Sequence, residues 1–257
     1  MLSALRRDQI KRILLENGSI TVTDMSRRFS VSAETIRRDL DILQNEGILE
    51  KTYGGAVLRS RVSPSIQHET LENIFVESKK LIAGICKKYI HNNDCIFLDH
   101  STTALHICDA INDLRLTVMT NSLKILNYFA ENPNINLVST GGSLLISEYG
   151  FFGRAAVKYM SDFHVDKAFV SCASLNIDRG IGDKNEETSE LRLKAIRNAN
   201  EVYLIADHTK FNKVAFVKTC DISEVDYVIT DFQPQPEWVT YFKKNKILLR
   251  YPEFDKE

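Results

Sequence analysis

Between Val31 and Gly55 the apolar positions fall into two successive patterns. Ile36, Leu40 and Leu43 recur at helical spacing and form one stripe. Ser32, Ala33, Thr35, Arg37 and Arg38 are left facing outward near the N-terminus of that helix. Ser32 has the chemistry of an N-cap, and Glu34 in the first turn suits the positive end of the helix dipole. Gly47 stops the helix. Ile48 to Lys51 and Ala56 to Leu58 then read as two short strands around Tyr53-Gly54-Gly55, a turn that calls for permissive backbone. Upstream, Ile10, Ile13 and Leu14 predict a first amphipathic helix. Val22, Met25 and Phe29 predict a second, begun at Thr21 or Thr23 and ended near Ser30.

Three short helices followed by a hairpin form a winged helix-turn-helix, whose third helix can lie in the major groove of duplex DNA. The residues placed to touch DNA are Ser32, Thr35, Arg37 and Arg38 on the helix and Lys51, Tyr53, Gly54 and Gly55 on the wing.

Beyond the hairpin the texture changes. Arg59 to Glu77, with Ser63-Pro64-Ser65 and little periodicity, reads as a linker running into a helix at Ser78 to Tyr89. From Cys95 onward short apolar runs alternate with helical segments, as parallel strands covered on both faces do. Strands are predicted at Cys95 to Asp99, Leu116 to Asn121, Ile135 to Thr140, Lys167 to Ala173, Glu201 to Asp207, Val225 to Asp231 and Ile247 to Tyr251. Helices are predicted at Thr103 to Ile111, Ser122 to Glu131, Arg154 to Met160, Glu186 to Asn198 and Glu237 to Lys243. This alternation predicts an α/β domain with a doubly wound open sheet. The expected division is residues 1–58 for the DNA-binding domain, 59–76 for the linker and 77–257 for an effector-binding and oligomerisation domain.

Several predicted strands end in polar residues where a helix begins: Asp99-His100-Ser101-Thr102-Thr103, Thr120-Asn121-Ser122, Thr140-Gly141-Gly142-Ser143 and Asp207-His208-Thr209-Lys210. Ligands of open α/β sheets bind outside the carboxyl ends of the strands, so these loops should converge on one crevice. Helix N-termini, small hydroxyl residues and glycines would present N–H and O–H donors to an anion, and a phosphate fits that chemistry. Arg154, next to Gly153, could reach a phosphate or pair with a carboxylate.

V-S-A-E-T-I-R-R-D-L-D-I-L followed by a Gly-Gly turn resembles the N-terminal signature of the DeoR family of bacterial transcriptional regulators. The second half resembles the C-terminal domain of the same family, whose fold is similar to ribose-5-phosphate isomerase and glucosamine-6-phosphate deaminase. The matching residues are Asp99 with Ser101-Thr102-Thr103, Thr120-Asn121, Gly141-Gly142, Gly153, Asp166-Lys167-Ala168-Phe169, Gly182, Glu187, and Asp207 with Lys210. The resemblance implies a repressor of carbohydrate-metabolism genes that binds a double-stranded operator as a dimer or tetramer. It also implies control by a phosphorylated sugar held by Asp99, Ser101, Thr102, Thr103, Asn121, Gly141, Gly142, Arg154, Glu187, Asp207 and Lys210. Three differences from the family pattern stand out: Lys51-Thr52-Tyr53 where Arg and His often precede the glycines, Ser101 in place of Gly, and Ser171-Cys172-Ala173 in place of a glycine-containing loop. The alternative within this fold is a sugar-phosphate isomerase or deaminase with an added DNA-binding head, using Asp99, Glu187 or Asp207 as acid or base and Lys210 on the substrate.

Composition narrows the rest. Residues 1 to 61 carry eleven Lys/Arg against eight Asp/Glu, whereas the whole chain has a net charge of −1. The basic excess is therefore confined to the DNA-reading segment and is modest, so affinity must come from a few placed contacts and from oligomerisation. No apolar run approaches the length that spans a bilayer, and the N-terminus lacks the order of a signal peptide, which predicts a cytoplasmic protein. The five cysteines are widely spaced and lack C-x-x-C or histidine-flanked patterns, so neither a metal site nor a cofactor is expected.

Overall fold

The computed structural model describes residues 3–58 and 68–252, and the chain separates into two compact units, Met1–Phe75 and Val76–Glu257. The first unit contains α1 (Ser3–Asn17), β1 (Ser19–Thr21), α2 (Val22–Phe29), α3 (Ala33–Asn45), β2 (Leu49–Thr52), β3 (Gly55–Leu58) and α4 (His68–Asn73). Thr21 caps α2 by accepting from the Asp24 amide at 3.1 Å, and Asp24 takes the Thr21 hydroxyl in return. Ile10 and Leu14 of α1 pack with Ile36, Leu40 and Leu43 of α3, all fully buried.

The wing is a three-stranded sheet in the order β1-β3-β2 rather than the expected two-stranded hairpin. At three residues, β1 is too short to show alternation. The reason for the glycine pair also differs from expectation. Neither Gly54 nor Gly55 has a left-handed backbone, but a Cβ on Gly55 would lie 1.9 Å from the carbonyl oxygen of Ile20, so β3 can pair with β1 only through glycine here. The stretch expected as linker, 59–76, contains α4, and Ile74 and Phe75 are buried in a small apolar cluster with Leu15. Residues 59–67 lie outside the described part of the chain.

The second unit contains α5 (Val76–Lys87), β4 (Cys95–Leu98), α6 (Thr102–Ile111), β5 (Leu116–Thr120), α7 (Leu123–Phe129), β6 (Ile135–Ser139), β7 (Ser143–Leu145), β8 (Gly150–Phe152) and α8 (Arg154–Met160). It continues with β9 (Val165–Val170), β10 (Ser174–Asn176), β11 (Gly180–Asp183), α9 (Glu186–Arg197), β12 (Ala199–Ile205), β13 (Val217–Cys220), β14 (Tyr227–Ile229), α10 (Pro236–Lys244) and β15 (Leu248–Arg250). All seven predicted strands join one sheet in the order β15-β14-β12-β9-β4-β5-β6, with every pairing parallel. The chain starts at β4, winds outward to β6, then returns beside β4 with β9 and winds to the other edge. The reversal between β4 and β9 is the topological switch point.

Strand residues alternate between two cores, as a sheet covered on both faces requires. Phe97, Ala168, Val170, Val202 and Leu204 pack on the side of α8, α9 and α10, whereas Ile96, Leu98, Phe169, Tyr203 and Ile205 pack on the side of α5, α6 and α7. The predicted strand Lys167 to Ala173 runs instead from Val165 to Val170. Its last residues leave the sheet because the Ser171 amide donates to Asp99 at 2.7 Å and the Ala173 amide to the Gly182 carbonyl at 2.9 Å. The β7–β8 hairpin and the antiparallel sheet β10-β11-β13 were not predicted. No helix among the described residues is long and apolar enough to cross a membrane.

Because each unit has its own buried core, the segment Val76–Glu257 expressed alone should unfold in one cooperative transition by circular dichroism. A broad, non-cooperative melt would show that the cores depend on the first unit.

Candidate functional site

In the first unit, Ser32 caps α3: its Oγ accepts the Thr35 amide at 3.2 Å and lies 2.9 Å from the Thr35 hydroxyl. Arg37 and Arg38 are exposed, and both approach Glu34, at 3.7 and 3.5 Å. Exposed pairs of this kind contribute about 0–1 kcal/mol, so a DNA phosphate can replace Glu34 at little cost. Tyr53 stands fully exposed at the tip of the wing, next to exposed Gly54, while Gly55 is buried against β1. Lys51 is tied back to α3: its ammonium pairs with Asp41 and its amide donates to Gln44 Oε1 at 3.2 Å. Two further exposed arginines, Arg27 and Arg28, end α2 and have no ion-pair partner among the described residues. The sequence pattern does signal them, by their place opposite Val22, Met25 and Phe29 on α2.

In the second unit, β12, β9, β4, β5 and β6 are successive parallel neighbours, so the residues that follow them form a row along one end of the sheet. That row brings together Asp207 and Lys210, Ser171, Asp99 to Thr103, Asn121, and Gly141-Gly142. Ser101 caps α6 by accepting from the Ala104 amide at 3.1 Å. The amides of Thr102 and Thr103 in that first turn have no carbonyl within the helix to bond, and their hydroxyls make no hydrogen bond among the described residues. Asn121 is completely buried; its Nδ2 donates to the Phe151 carbonyl at 3.3 Å, and its Oδ1 has no hydrogen-bond partner among the described residues. An unpaired buried acceptor costs about 1–3 kcal/mol, so a ligand hydroxyl or N–H would be stabilised at this point. Gly142 has φ 104°, and a Cβ there would meet the Phe152 carbonyl oxygen at 2.4 Å, so the loop after β6 depends on glycine for both its backbone and its closeness to β8.

Asp99 is buried at the switch point and fully engaged. Oδ1 accepts the Ser101 amide at 3.0 Å, and Oδ2 accepts the Ser171 amide and both Nε and Nη2 of Arg192, at 3.1 and 2.9 Å. Arg192 Nη1 binds Asp183, whose carboxylate also accepts the Thr219 hydroxyl at 3.2 Å. Burial pushes the Asp99 carboxyl up, but the charges of Arg192 and then His100, with the hydrogen bonds from Ser101 and Ser171, outweigh it and leave it below the usual range. Asp183 is held above its usual value by burial, which Arg192 only partly offsets. Asp207 caps the turn after β12 by accepting the Thr209 amide at 2.9 Å, with the Lys210 ammonium 3.8 Å from its other oxygen. Burial pushes the Cys172 thiol up to about 12 against the lowering effect of Lys210 and Arg192, which leaves it a poor nucleophile.

Arg154 and Glu187 open α8 and α9, are exposed, and share no hydrogen bond or ion pair with any member of the row. Conversely, the structure brings in Arg192, Asp183 and the pair Lys184–Glu148 at 3.2 Å, which the strand-end pattern does not predict. Arg192 looked like one of several basic residues of a helix. Only its spacing within the buried set Thr188, Leu191, Arg192 and Ala195 marked it as an internal charge.

Comparison with known proteins agrees with both halves of this description. Residues 6–62 match the DeoR-like helix-turn-helix domain, and residues 74–232 match the DeoR C terminal sensor domain. The HTH-type transcriptional regulator YulB of Bacillus subtilis is 35% identical over 247 residues, 96% of each chain. The chain belongs to the DeoR family of transcriptional regulators. The HTH-type transcriptional regulator GolR of Listeria innocua is 31% identical over 88% of this chain and 89% of its own. The putative aga operon transcriptional repressor of Escherichia coli O157:H7 is 28% identical over 88% of this chain and 85% of its own. Among solved structures, ribose 5-phosphate isomerase A of Methanocaldococcus jannaschii aligns with 52% of this chain and 53% of its own, at 16% identity and a TM-score of 0.38, too loose a likeness to carry any argument.

For this DeoR-family chain the buried charges give a stability prediction. Arg192→Met leaves Asp99 and Asp183 without their cation and should cost about 3–5 kcal/mol at neutral pH, read by urea unfolding. In the parent, Asp99 contributes stability above the ordinary carboxylate pKa, and loses it as pH falls. In the variant, both carboxyls sit above their unfolded values and penalise folding at high pH. The difference between the two proteins should therefore shrink as pH is lowered through about 4, and a pH-independent difference would contradict the assignment. Replacing Arg27 and Arg28 together by Ala should lower the salt dependence of duplex binding by about two counterions without changing sequence preference. An unchanged slope would remove them from the DNA surface.

Proposed function

We propose that the chain is a repressor of carbohydrate-metabolism genes, and that its grip on a duplex operator changes when a small phosphorylated sugar occupies the row of strand ends in the second unit. The observation that carries this reading is the unpaired Oδ1 of Asn121 together with the unbonded Thr102 and Thr103 amides of α6, which follow two of the five adjacent parallel strands at the same end of the sheet. Helix N-termini and the Gly141-Gly142 loop suit the phosphate, Asn121 suits a sugar hydroxyl, and Lys210 supplies a cation. Asp99, held by Arg192, fixes the loops after β4 and β9 through the amides of Ser101 and Ser171. Two copies of the chain read two half-sites, which would compensate for the modest basic charge of each reader. The exposed apolar side chains Leu144, Ile146 and Phe216 of the second unit offer surface for such an assembly.

The enzyme alternative needs a carboxylate able to take and return a proton. Asp99 accepts four hydrogen bonds, Asp207 is occupied in capping a turn, and Glu187 lies off the row. The regulator reading therefore fits the arrangement better.

Calorimetry against a panel of pentose and hexose phosphates, paired with operator titrations, tests the proposal. One panel member should bind the parent and shift operator affinity by about 1–3 kcal/mol of coupling. Lys210→Ala should keep operator binding and lose most of that shift. Equal effector binding by parent and variant would place the site elsewhere, and turnover of the metabolite would favour the enzyme.

A further inference from the structure

The DNA-binding reading leaves one feature of α3 unexplained. Asp39 lies inside the apolar stripe of Ile36, Leu40 and Leu43, and it is as buried as they are, at 3% exposure. The helical pattern calls for a leucine or isoleucine there. Arg6 of α1, also buried, meets Asp39 with two hydrogen bonds, Nε to Oδ2 at 2.6 Å and Nη2 to Oδ1 at 3.2 Å, and Arg7 Nη1 approaches Oδ1 at 3.8 Å. Five residues along α1, the buried Lys11 reaches Glu46 at the end of α3, at 2.9 Å.

Stability does not account for a buried ion pair in this position, because removing two charges from water costs as much as, or more than, their attraction returns, and an apolar pair of similar size folds at least as well. A two-point fork does something that an apolar contact cannot: it fixes the rotation of one helix about its axis relative to the other. Rotation matters here because Arg37 and Arg38 immediately precede Asp39 on the same helix. A side-chain tip about 6 Å from the helix axis moves roughly 2 Å for a turn of about 20°, enough to break a hydrogen bond to a base edge.

We propose that the Arg6–Asp39 pair is a positioning device for DNA readout: it sets the angle at which α3 presents Thr35, Arg37 and Arg38, so that sequence discrimination depends on two buried residues that never touch DNA. The proposal rests on the assignment of α3 as the reading helix. Its signature is a loss of specificity without a loss of stability or of general attraction to the phosphate backbone.

The test begins with full-length parent protein, used to select a preferred duplex from random-sequence DNA. Failure to enrich any sequence would remove the DNA-reading assignment itself, and this proposal with it. With the selected duplex in hand, the double variant Arg6→Met/Asp39→Leu is compared with the parent for melting temperature, affinity for the selected duplex and affinity for a scrambled duplex. The expected result is an equal or higher melting temperature, unchanged affinity for the scrambled duplex, and a loss of roughly tenfold in the ratio between the two duplexes. A folded double variant with the parent's ratio would overturn the proposal. Should the double variant not fold, Arg6→Lys decides the matter, since it keeps the charge and loses the fork. A reduced ratio at the parent's salt dependence supports the positioning role, whereas an unchanged ratio overturns it.

Discussion

One guanidinium organises the second unit. Arg192, on α9, is held between two buried carboxylates, and through Asp99 it reaches the amides of Ser101 and Ser171 at the ends of β4 and β9. Those two strands flank the switch point of the sheet, so the same network that neutralises Arg192 also shapes the loops from which a ligand would be approached. Through Asp183 and Thr219 it extends to β11 and β13, and Ser189 closes it by donating to Thr219 at 3.0 Å. Asp99 and Asp183 together occupy the Arg192 cation, which in our reading leaves the amide-rich first turn of α6 as the place for an anionic group.

The first unit solves a related problem with the same chemistry. A buried arginine–carboxylate fork joins α1 to α3, while the outer face of α3 keeps its arginines in weak contact with Glu34. The internal pair is held by two hydrogen bonds, whereas Arg37 and Arg38 only approach Glu34. This division suits a protein that must fix the orientation of a reading surface yet exchange the surface's own ion pairs for those of DNA.

Much of this was legible in the sequence because it depends on periodicity. The stripe of Ile36, Leu40 and Leu43, the cap at Ser32, and the apolar runs of the seven parallel strands all announce themselves within a few residues. What stayed hidden depends on pairing between distant segments. The strand Ser19–Thr21 is defined only by its partner β3, and the sheet β10-β11-β13 joins segments some forty residues apart whose short runs show no alternation of their own. The roles of Asp39 and Arg192 were hidden for the same reason, since a charged residue in a buried stripe can be read only once its partner, 33 positions away for Asp39 and 93 for Arg192, is in place. Asp99 shows a mixed case: it was visible as a strand-end carboxylate, but its hydrogen bonds from Arg192 were not.

The central claim is that the strand-end row of the second unit receives a phosphorylated sugar that governs DNA binding. Hydrogen exchange of the full-length protein on operator DNA, titrated with a panel of pentose and hexose phosphates, addresses it most directly. We expect one panel member to slow exchange at Thr102 to Ala104 and at Gly141 to Ser143, in step with a change in operator occupancy. Exchange that stays unchanged at both segments for every panel member, or protection that develops elsewhere while operator occupancy changes, would contradict the claim.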